Sequence, residues 1–271
     1  MMFKNKWTYL GLFIVVIFVI VAVFAPFIAP HDPMEIDLPQ ALNTPSLENI
    51  MGQDQNGSDI FSRIVHGARI SLFTGLTVVF ISSVVGIFLG LISGFYGGLI
   101  DTVLMRIVDV LLAFPGLLLA IAIVAVMGPQ ILNVVIALSV LGWVSFARLV
   151  RGQVLAVKER EFVYAARTSG QSDLRVMFMH ILPNIMSPVI VQATFSIAGV
   201  IIAESSLSFL GLGAPPGTPS WGLMLSEGTK ELLDAPHVSI FPGAAIMLLV
   251  IAFNFIGDGL RDLLDPKTEK K

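Results

Sequence analysis

The sequence predicts an all-α membrane protein with six transmembrane helices and with both termini on the cytoplasmic side. Three observations lead to this fold class. Hydrophobic residues make up 55% of the 271 residues and charged residues only 13%, whereas a soluble domain carries about 25% charged residues. The apolar residues form blocks of about 20, the length that crosses the hydrocarbon core of a bilayer. Lysine and arginine gather on one side of these blocks, as they do in the cytoplasmic loops of membrane proteins.

Six apolar blocks are the predicted spans. They run from Tyr9 to Ala29, Ile70 to Gly94, Val103 to Met127, Ile131 to Val150, Ile185 to Ala203, and Ile240 to Gly257. The first follows Lys4 and Lys6 in the manner of a signal peptide, but the five further spans favour a retained signal anchor. With the N-terminus inside, 13 of the 16 basic residues face the cytoplasm, and Arg63, Arg69 and Lys230 lie outside.

Composition argues against several classes of function. The net charge of −3 gives no basic surface for nucleic acid, and the chain has no cysteine for a thiolate metal site. Its four histidines are scattered without i, i+4 pairing, so we expect no metal site. No GxxxxGK[ST] loop is present to bind ATP phosphates. A self-sufficient transporter or channel would place charges mid-span, and an intramembrane enzyme would need a convergent catalytic set; the spans favour neither alternative.

Small residues recur along the second predicted span. Ser82, Gly86, Gly90 and Gly94 are each four residues apart, which places them on one face of a helix. In lipid, such a face lets a second helix approach closely. We interpret the four as a packing seam; a pore-lining role is the alternative, because small residues also leave room for a substrate.

Ionisable residues at the span ends are candidates for gating or coupling. Arg106 and Asp109 have the i, i+3 spacing that allows a pair across one helical turn. Structural pairing is the first interpretation and a gating or coupling role the second. Glu204 closes the fifth span on the outer side, where a solvated helix end is favoured over contact with substrate or an external partner. Pro115 and Pro188 predict kinks in the third and fifth helices.

The segment from Arg151 to Asn184 is too long for a turn and is predicted to form two short helices joined at Gly170. Ser172 or Asp173 is suited to cap the second helix, and Pro183 is expected to end it. That helix has one apolar face, formed by Leu174, Met177, Phe178 and Ile181. An amphipathic, basic pair of helices either lies on lipid or docks a soluble partner, and composition does not choose between the two.

A resemblance to a known family favours docking of a soluble partner over a position on the lipid surface. Tyr164, Ala165, Ala166 and Gly170, followed by Ile181-Leu182-Pro183, resemble the EAA loop of ABC-importer permeases, although Tyr164 replaces the usual Glu and His180 the usual Ile. Glu161, one turn earlier, is the candidate substitute for the missing Glu. The resemblance implies a coupling helix that sits in a cleft of an ATP-binding subunit. The implied coupling residues are Glu161, Tyr164, Ala165, Ala166, Gly170, Leu182 and Pro183.

Three further stretches narrow the resemblance. They are Met51 to Asp59, Ser205 to Gly213 with Pro219 to Gly222, and Gly257 to Asp262. Together they resemble the second, DppC/OppC-like permease of dipeptide, oligopeptide and nickel importers. The resemblance implies the type I ABC importer (MetI-like) permease fold. It also implies three regions: an N-terminal anchor and external entry segment (1–68), a permease domain (69–258) with its coupling loop (151–184), and a cytoplasmic tail (259–271).

The same resemblance implies how the protein works. We expect a multi-pass permease in a bacterial or archaeal cell membrane that translocates small peptides by alternating access. Nickel or a metal chelate is the alternative substrate. The implied partners are a sister permease, two ATP-binding subunits and an extracytoplasmic solute-binding protein. This chain is expected to bind no cofactor, since ATP and Mg²⁺ would be used by the partner subunits.

Overall fold

The computed structural model describes residues 6–264, and this part of the chain is helical throughout its regular structure. The helices are α1 (Lys6–Val23), α2 (Ala25–Ile28), α3 (Ile60–Tyr96), α4 (Gly98–Leu112), α5 (Gly116–Met127), α6 (Ile131–Val157), α7 (Glu161–Thr168), α8 (Asp173–Arg175), α9 (Leu182–Phe209), α10 (Trp221–Gly228) and α11 (His237–Leu264). Short 3₁₀ turns lie at Leu38–Gln40 and Thr229–Glu231, and a π-helical turn at Val176–Ile181 joins α8 to α9. Most of the predicted tail, from residue 265 onwards, lies outside the described residues.

Five helices or helix runs are long and apolar enough to cross a membrane, and a sixth candidate is a broken pair. The broken pair is α4 and α5, which meet at 85° on either side of Pro115. Proline disfavours a helical conformation in the residue before it and lacks the N–H that would continue the helix. The third predicted span is therefore a broken one, as Pro115 indicated. Pro188, in contrast, lies inside α9 without ending it.

The second span begins ten residues before its predicted start. Helix α3 has 37 residues, or about 55 Å at 1.5 Å per residue, so it extends well beyond a hydrocarbon core of about 30 Å. The Asp59 side chain caps this helix by accepting the backbone N–H of Ser62 at 2.9 Å. Arg63 and Arg69, which were predicted to lie outside the membrane, are on this extension.

The prediction for the segment around Pro183 is partly wrong. Two helical pieces do meet at Gly170, but Pro183 lies in the first turn of α9, and the helix runs from Asp173 to Phe209. Proline is tolerated there because the first-turn N–H groups need no partner within the helix. The predicted apolar face is only half buried, since Met177 and Ile181 are 2% and 0% exposed but Leu174 and Phe178 are 62% and 44% exposed.

Helix α3 is the centre of the bundle. It packs most extensively against α6 and also contacts α9 and α1, while α11 packs against α9 and α1. The main hydrophobic cluster joins α3, α6, α9 and α11, and a second cluster joins α5 to α6. Many large apolar side chains point outward, including Phe13, Phe80 and Val126. Exposed apolar surface of this extent is expected for a helix bundle in lipid.

Candidate functional site

Helix α7 and the turn at Gly170 form an elbow at one end of the bundle, here called the α7 elbow (residues 158–181). Gly170 has φ +79° and closes α7 in a Schellman motif. Its N–H donates to the Arg167 carbonyl at 3.0 Å, and the N–H of Gln171 donates to the Ala166 carbonyl at 3.3 Å. A Cβ at Gly170 would meet nothing within 4 Å, so glycine is required by the backbone conformation and not by space.

The two faces of α7 have different environments. Val163 and Ala166 are 0% and 5% exposed and belong to the main hydrophobic cluster. Tyr164 is 50% exposed, and Glu161 and Ala165 are also exposed. The Ala166 side chain, which the sequence-based interpretation placed at a partner contact, packs against this chain's own core, and its role in coupling stays a prediction. The exposed face of α7 is the one available to a partner.

Two contacts connect the α7 elbow to α3, and a third holds the elbow together internally. Lys158 Nζ donates to the Gly94 carbonyl at 3.0 Å. The Arg167 guanidinium lies over the Phe95 ring, 4.5 Å from its centroid, in a cation–π arrangement. Within the elbow, His180 Nε2 lies 2.8 Å from Gln171 Oε1 and joins the turn to the π-helical segment. The elbow is thus joined to the last turn of α3 as well as to its own flanking helices.

The ion pairs at this end differ from those that the sequence predicted. Asp109 pairs with Arg148 of α6 at 2.5 Å and not with Arg106, which makes no ion pair or hydrogen bond within residues 6–264. Asp101 accepts two hydrogen bonds from Arg151, at 2.5 and 2.6 Å. Both contacts cross from α4 to α6, because α4 lies close to α6 after the sharp turn at Gly97 and Gly98. A sequence pattern of i, i+3 spacing carries no information about such an inter-helix pair.

Tyr164 takes the position at which the related permeases usually have Glu, and it has an acidic neighbour of its own. Its hydroxyl donates to the Glu159 carboxylate. This hydrogen bond, together with the negative charge of Glu159, raises the pKa of Tyr164 above its ordinary value. Glu161, which the sequence suggests as the substitute for the usual Glu, is exposed on α7, and that role stays a prediction. Just beyond the elbow, at the start of α9, Leu182 is half-buried and Pro183 is exposed.

The small-residue face of α3 packs against α6. A Cβ added to Gly90 would lie 2.7 Å from the Ala147 carbonyl oxygen, and one added to Gly94 would lie 2.7 Å from Val154 Cβ. A Cβ added to Gly86 would overlap Phe146. Ser82 lies one turn further along and faces Gly142. The glycines allow the backbones of α3 and α6 to approach closely.

Beside this seam lies a groove of about 310 Å³ between α3, α5, α6 and α9. Its small and polar lining residues are Ser82, Gly116, Gly142, Ser145, Ser196 and Gly199. The remainder of the lining is aliphatic or aromatic, including Val78 and Phe146. Ser82 therefore borders both the seam and the groove. At this position, a role in helix packing and a role in lining a pathway are compatible.

The opposite end of the bundle, here called the loop end, is closed by residues 30–59 and 210–236. Glu204 is fully buried, and its carboxylate accepts hydrogen bonds from Ser208 at 2.8 Å and Ser220 at 3.3 Å. The prediction of a solvated helix end is therefore wrong. Trp221 is also fully buried and donates from Nε1 to the Ile64 carbonyl at 3.0 Å. The loop that contains Ser220 and Trp221 folds over the ends of α3 and α9, which local sequence patterns do not reveal.

A bundle of apolar helices with an exposed helical elbow at one end and folded loops at the other is the architecture of a multi-spanning membrane protein. A family model described as the binding-protein-dependent transport system inner membrane component matches residues 86–270. A second, the N-terminal transmembrane domain of oligopeptide transport permease C, matches residues 1–45. The chain belongs to this family of ABC-importer permeases, in its DppC/OppC-like branch.

Individual relatives agree with this assignment. The chain is 51% identical over 254 residues to the glutathione transport system permease protein GsiD of Escherichia coli O6:K15:H31, with 93% of this chain and 84% of the relative covered. The GsiD protein of Shigella boydii serotype 4 matches with the same identity and coverage. A chain of the inward-facing MetNI methionine ABC transporter superposes with a TM-score of 0.63 at 16% identity, covering 76% of this chain and 98% of that chain. The last likeness concerns the fold alone.

These findings identify the chain as an inner-membrane translocation subunit and not an enzyme. They confirm the predicted ABC-importer permease of the peptide type. The boundaries of the three predicted regions, 1–68, 69–258 and 259–271, stay a prediction.

Proposed function

We propose that the chain forms one half of a peptide pathway, with its N-terminus and the α7 elbow in the cytoplasm. The elbow would dock on one of two ATP-binding subunits, which supply ATP and Mg²⁺. A sister permease would form the other half of the pathway, and an extracytoplasmic solute-binding protein would deliver substrate. The observation that carries this proposal is the exposed face of α7, held on the bundle by its buried face.

The contacts of the α7 elbow support a mechanical role. Val163 and Ala166 fix α7 to the core, so a force on the exposed face moves the helix as a body. The Lys158 contact with Gly94 and the Arg167 contact with Phe95 carry that movement to α3. Because α3 and α6 are closely packed along the glycine seam, both helices would move together. The two states of alternating access would then differ in the position of this helix pair.

The groove beside the seam is our candidate for this chain's part of the pathway. Its serine hydroxyls offer hydrogen bonds to peptide groups, and its glycines leave room for a backbone. The relatives named for glutathione transport favour a substrate of that size, a small peptide. The nickel or metal-chelate alternative draws no support from the names of these relatives.

Docking of the elbow is tested by introducing a bulky side chain on its exposed face. Ala165→Trp should abolish substrate-stimulated ATP hydrolysis and glutathione uptake by the assembled transporter, because the large ring prevents α7 from entering a cleft. Thr102→Trp is the matched control, since Thr102 is also exposed at the same end but lies outside α7. Both variants should insert into the membrane normally. Full coupling in Ala165→Trp would overturn the docking assignment.

The groove is tested with a pair of glycines that both have open space around them. A Cβ at Gly199 or at Gly152 would meet nothing within 4 Å, but only Gly199 lines the groove. Gly199→Phe should therefore block uptake of radiolabelled glutathione, and Gly152→Phe should not. Equal uptake by the two variants would exclude the groove as the pathway.

A further inference from the structure

An acidic pocket of about 200 Å³ lies in the folded loop that precedes α3. Its charged and titratable lining residues are His31, Asp32, Glu35, Asp37, Glu48 and Asp59. None of the residues that line it, all of them within the described chain, is a lysine or arginine. Five carboxylates therefore face one small space without a strong cation among them.

Asp59 forms the deep wall of the acidic pocket, and one of its oxygens is unsatisfied. Oδ2 accepts hydrogen bonds from the backbone N–H and the hydroxyl of Ser62, at 2.9 and 2.7 Å. Oδ1 is buried and has no hydrogen-bond partner within residues 6–264, and the side chain is only 2% exposed. His31 Nδ1, at 3.7 Å from Oδ2, is likewise without a hydrogen bond. A buried polar atom without a partner is costly, so the wall lacks a donor that a ligand can supply.

Size and geometry restrict what that ligand is. The pocket is smaller than the roughly 300–1,000 Å³ that drug-sized ligands occupy. Within the described residues, no three His, Asp or Glu side chains are arranged to hold a metal ion. An ammonium or guanidinium group at the end of a side chain fits both restrictions, since it brings several donors and a positive charge. The pocket is preformed, because the Ser58 hydroxyl donates to the Glu35 carbonyl at 2.6 Å and fixes one wall on the other.

We propose that the acidic pocket receives a lysine or arginine side chain of the extracytoplasmic solute-binding protein. This inference rests on the proposed function, which places the loop end outside the cell. A docking protein is favoured over the peptide substrate as the source of the cation because the pocket is built only from residues 31–59. It shares no lining residue with the groove between the spans. The bound side chain would contact Asp59, which caps the helix that reaches the α7 elbow at its other end.

Removing the rim charges tests the proposal in the assembled transporter in nanodiscs. The combined variant Glu35→Gln, Asp37→Asn and Glu48→Gln should weaken binding of the substrate-loaded binding protein roughly tenfold, as expected for a few partly exposed ion pairs. It should also reduce the dependence of Kd on salt. Asp234→Asn is the control, because it removes one exposed charge from the other loop at the same end. Basal ATP hydrolysis should be unchanged in both.

A cysteine probe identifies what enters the pocket. The chain has no cysteine of its own, so Glu48→Cys gives a single site on this chain for a membrane-impermeant maleimide, read out on the separated chain. The binding protein should protect this cysteine, and glutathione alone should not. Protection by glutathione alone would overturn the proposal in favour of a substrate subsite.

The outcomes separate this inference from the proposed function. If wild-type transporter binds its partner and imports glutathione while the combined variant binds equally well, the acidic pocket is not the contact and the proposed function stands. If the wild-type assembly neither binds a solute-binding protein nor imports, the proposed function fails, and the inference fails with it.

Discussion

The two ends of the bundle bury their charged residues to different extents. At the end of the bundle that carries the α7 elbow, the Arg148–Asp109 pair is more than half exposed on both sides, and the Asp101–Arg151 pair is partly exposed. At the loop end, Arg63 is 1% exposed, pairs with Asp54 and has Glu227 at 3.6 Å. Similar residue types are thus exposed on this chain at one end and buried in its interior at the other.

The difference in burial of the ion pairs indicates which end of the bundle can rearrange. An exposed ion pair contributes little, and its members are rehydrated when it breaks. A buried pair that loses one partner leaves an uncompensated charge in the interior, which is strongly unfavourable. The elbow end is therefore suited to rearrangement during a transport cycle, and the loop end is suited to a single arrangement.

The largest expected effect is at the buried pair. Arg63→Met should lower the free energy of unfolding by about 3–5 kcal/mol, because Asp54 loses its partner inside the protein. Arg148→Ala at the elbow end should cost no more than about 1 kcal/mol. Denaturant titration of both variants in the same detergent gives the comparison directly. Similar losses for the two variants would refute the contrast between the ends.

A smaller effect is expected at the seam, which joins the elbow end to the rest of α3. Gly90→Leu should lower the free energy of unfolding by about 1–3 kcal/mol through overpacking. Even a Cβ at this position would lie 2.7 Å from the Ala147 carbonyl oxygen and from Val150 Cβ. Gly152→Leu, with open space around it, is the control. If Gly90→Leu and the control had the same free energy of unfolding, α3 and α6 would not form one rigid unit. Movement of the elbow would then not pass from one of these helices to the other.

Local patterns in the sequence predicted most of the fold. The apolar blocks identified the spans, Pro115 indicated the break in the third, and Gly170 marked the elbow. These signals are local because each depends on a residue's own conformation or on its neighbours along the helix. Pro183 was misread because the same residue that ends one helix is also tolerated in the first turn of the next.

Tertiary contacts could not be read in the same way. Glu204 is buried by Ser208 of its own helix and by Ser220, which arrives from a loop sixteen residues later. Asp109 finds its partner on α6, 39 residues away. Ala166 was expected at a partner surface because small residues suit helix packing, and it does pack, but against this chain's own core. In each case the residue type indicated the kind of contact, but the partner in that contact was determined by the tertiary fold.

The smallest expected effect concerns Tyr164 on the exposed face of α7. The Glu159 carboxylate raises its pKa, so folding stabilises the neutral phenol. That stabilisation is fully present below the ordinary tyrosine pKa of about 10, and it is lost as the pH rises through the raised value. The phenolate absorbance of wild type minus that of Tyr164→Phe reports this one residue, and Glu159→Gln should move its midpoint to lower pH. An unchanged midpoint would mean that the hydrogen bond does not form in the membrane. A formed bond would explain the departure from the family's usual Glu, because a second carboxylate at this position would be repelled by Glu159.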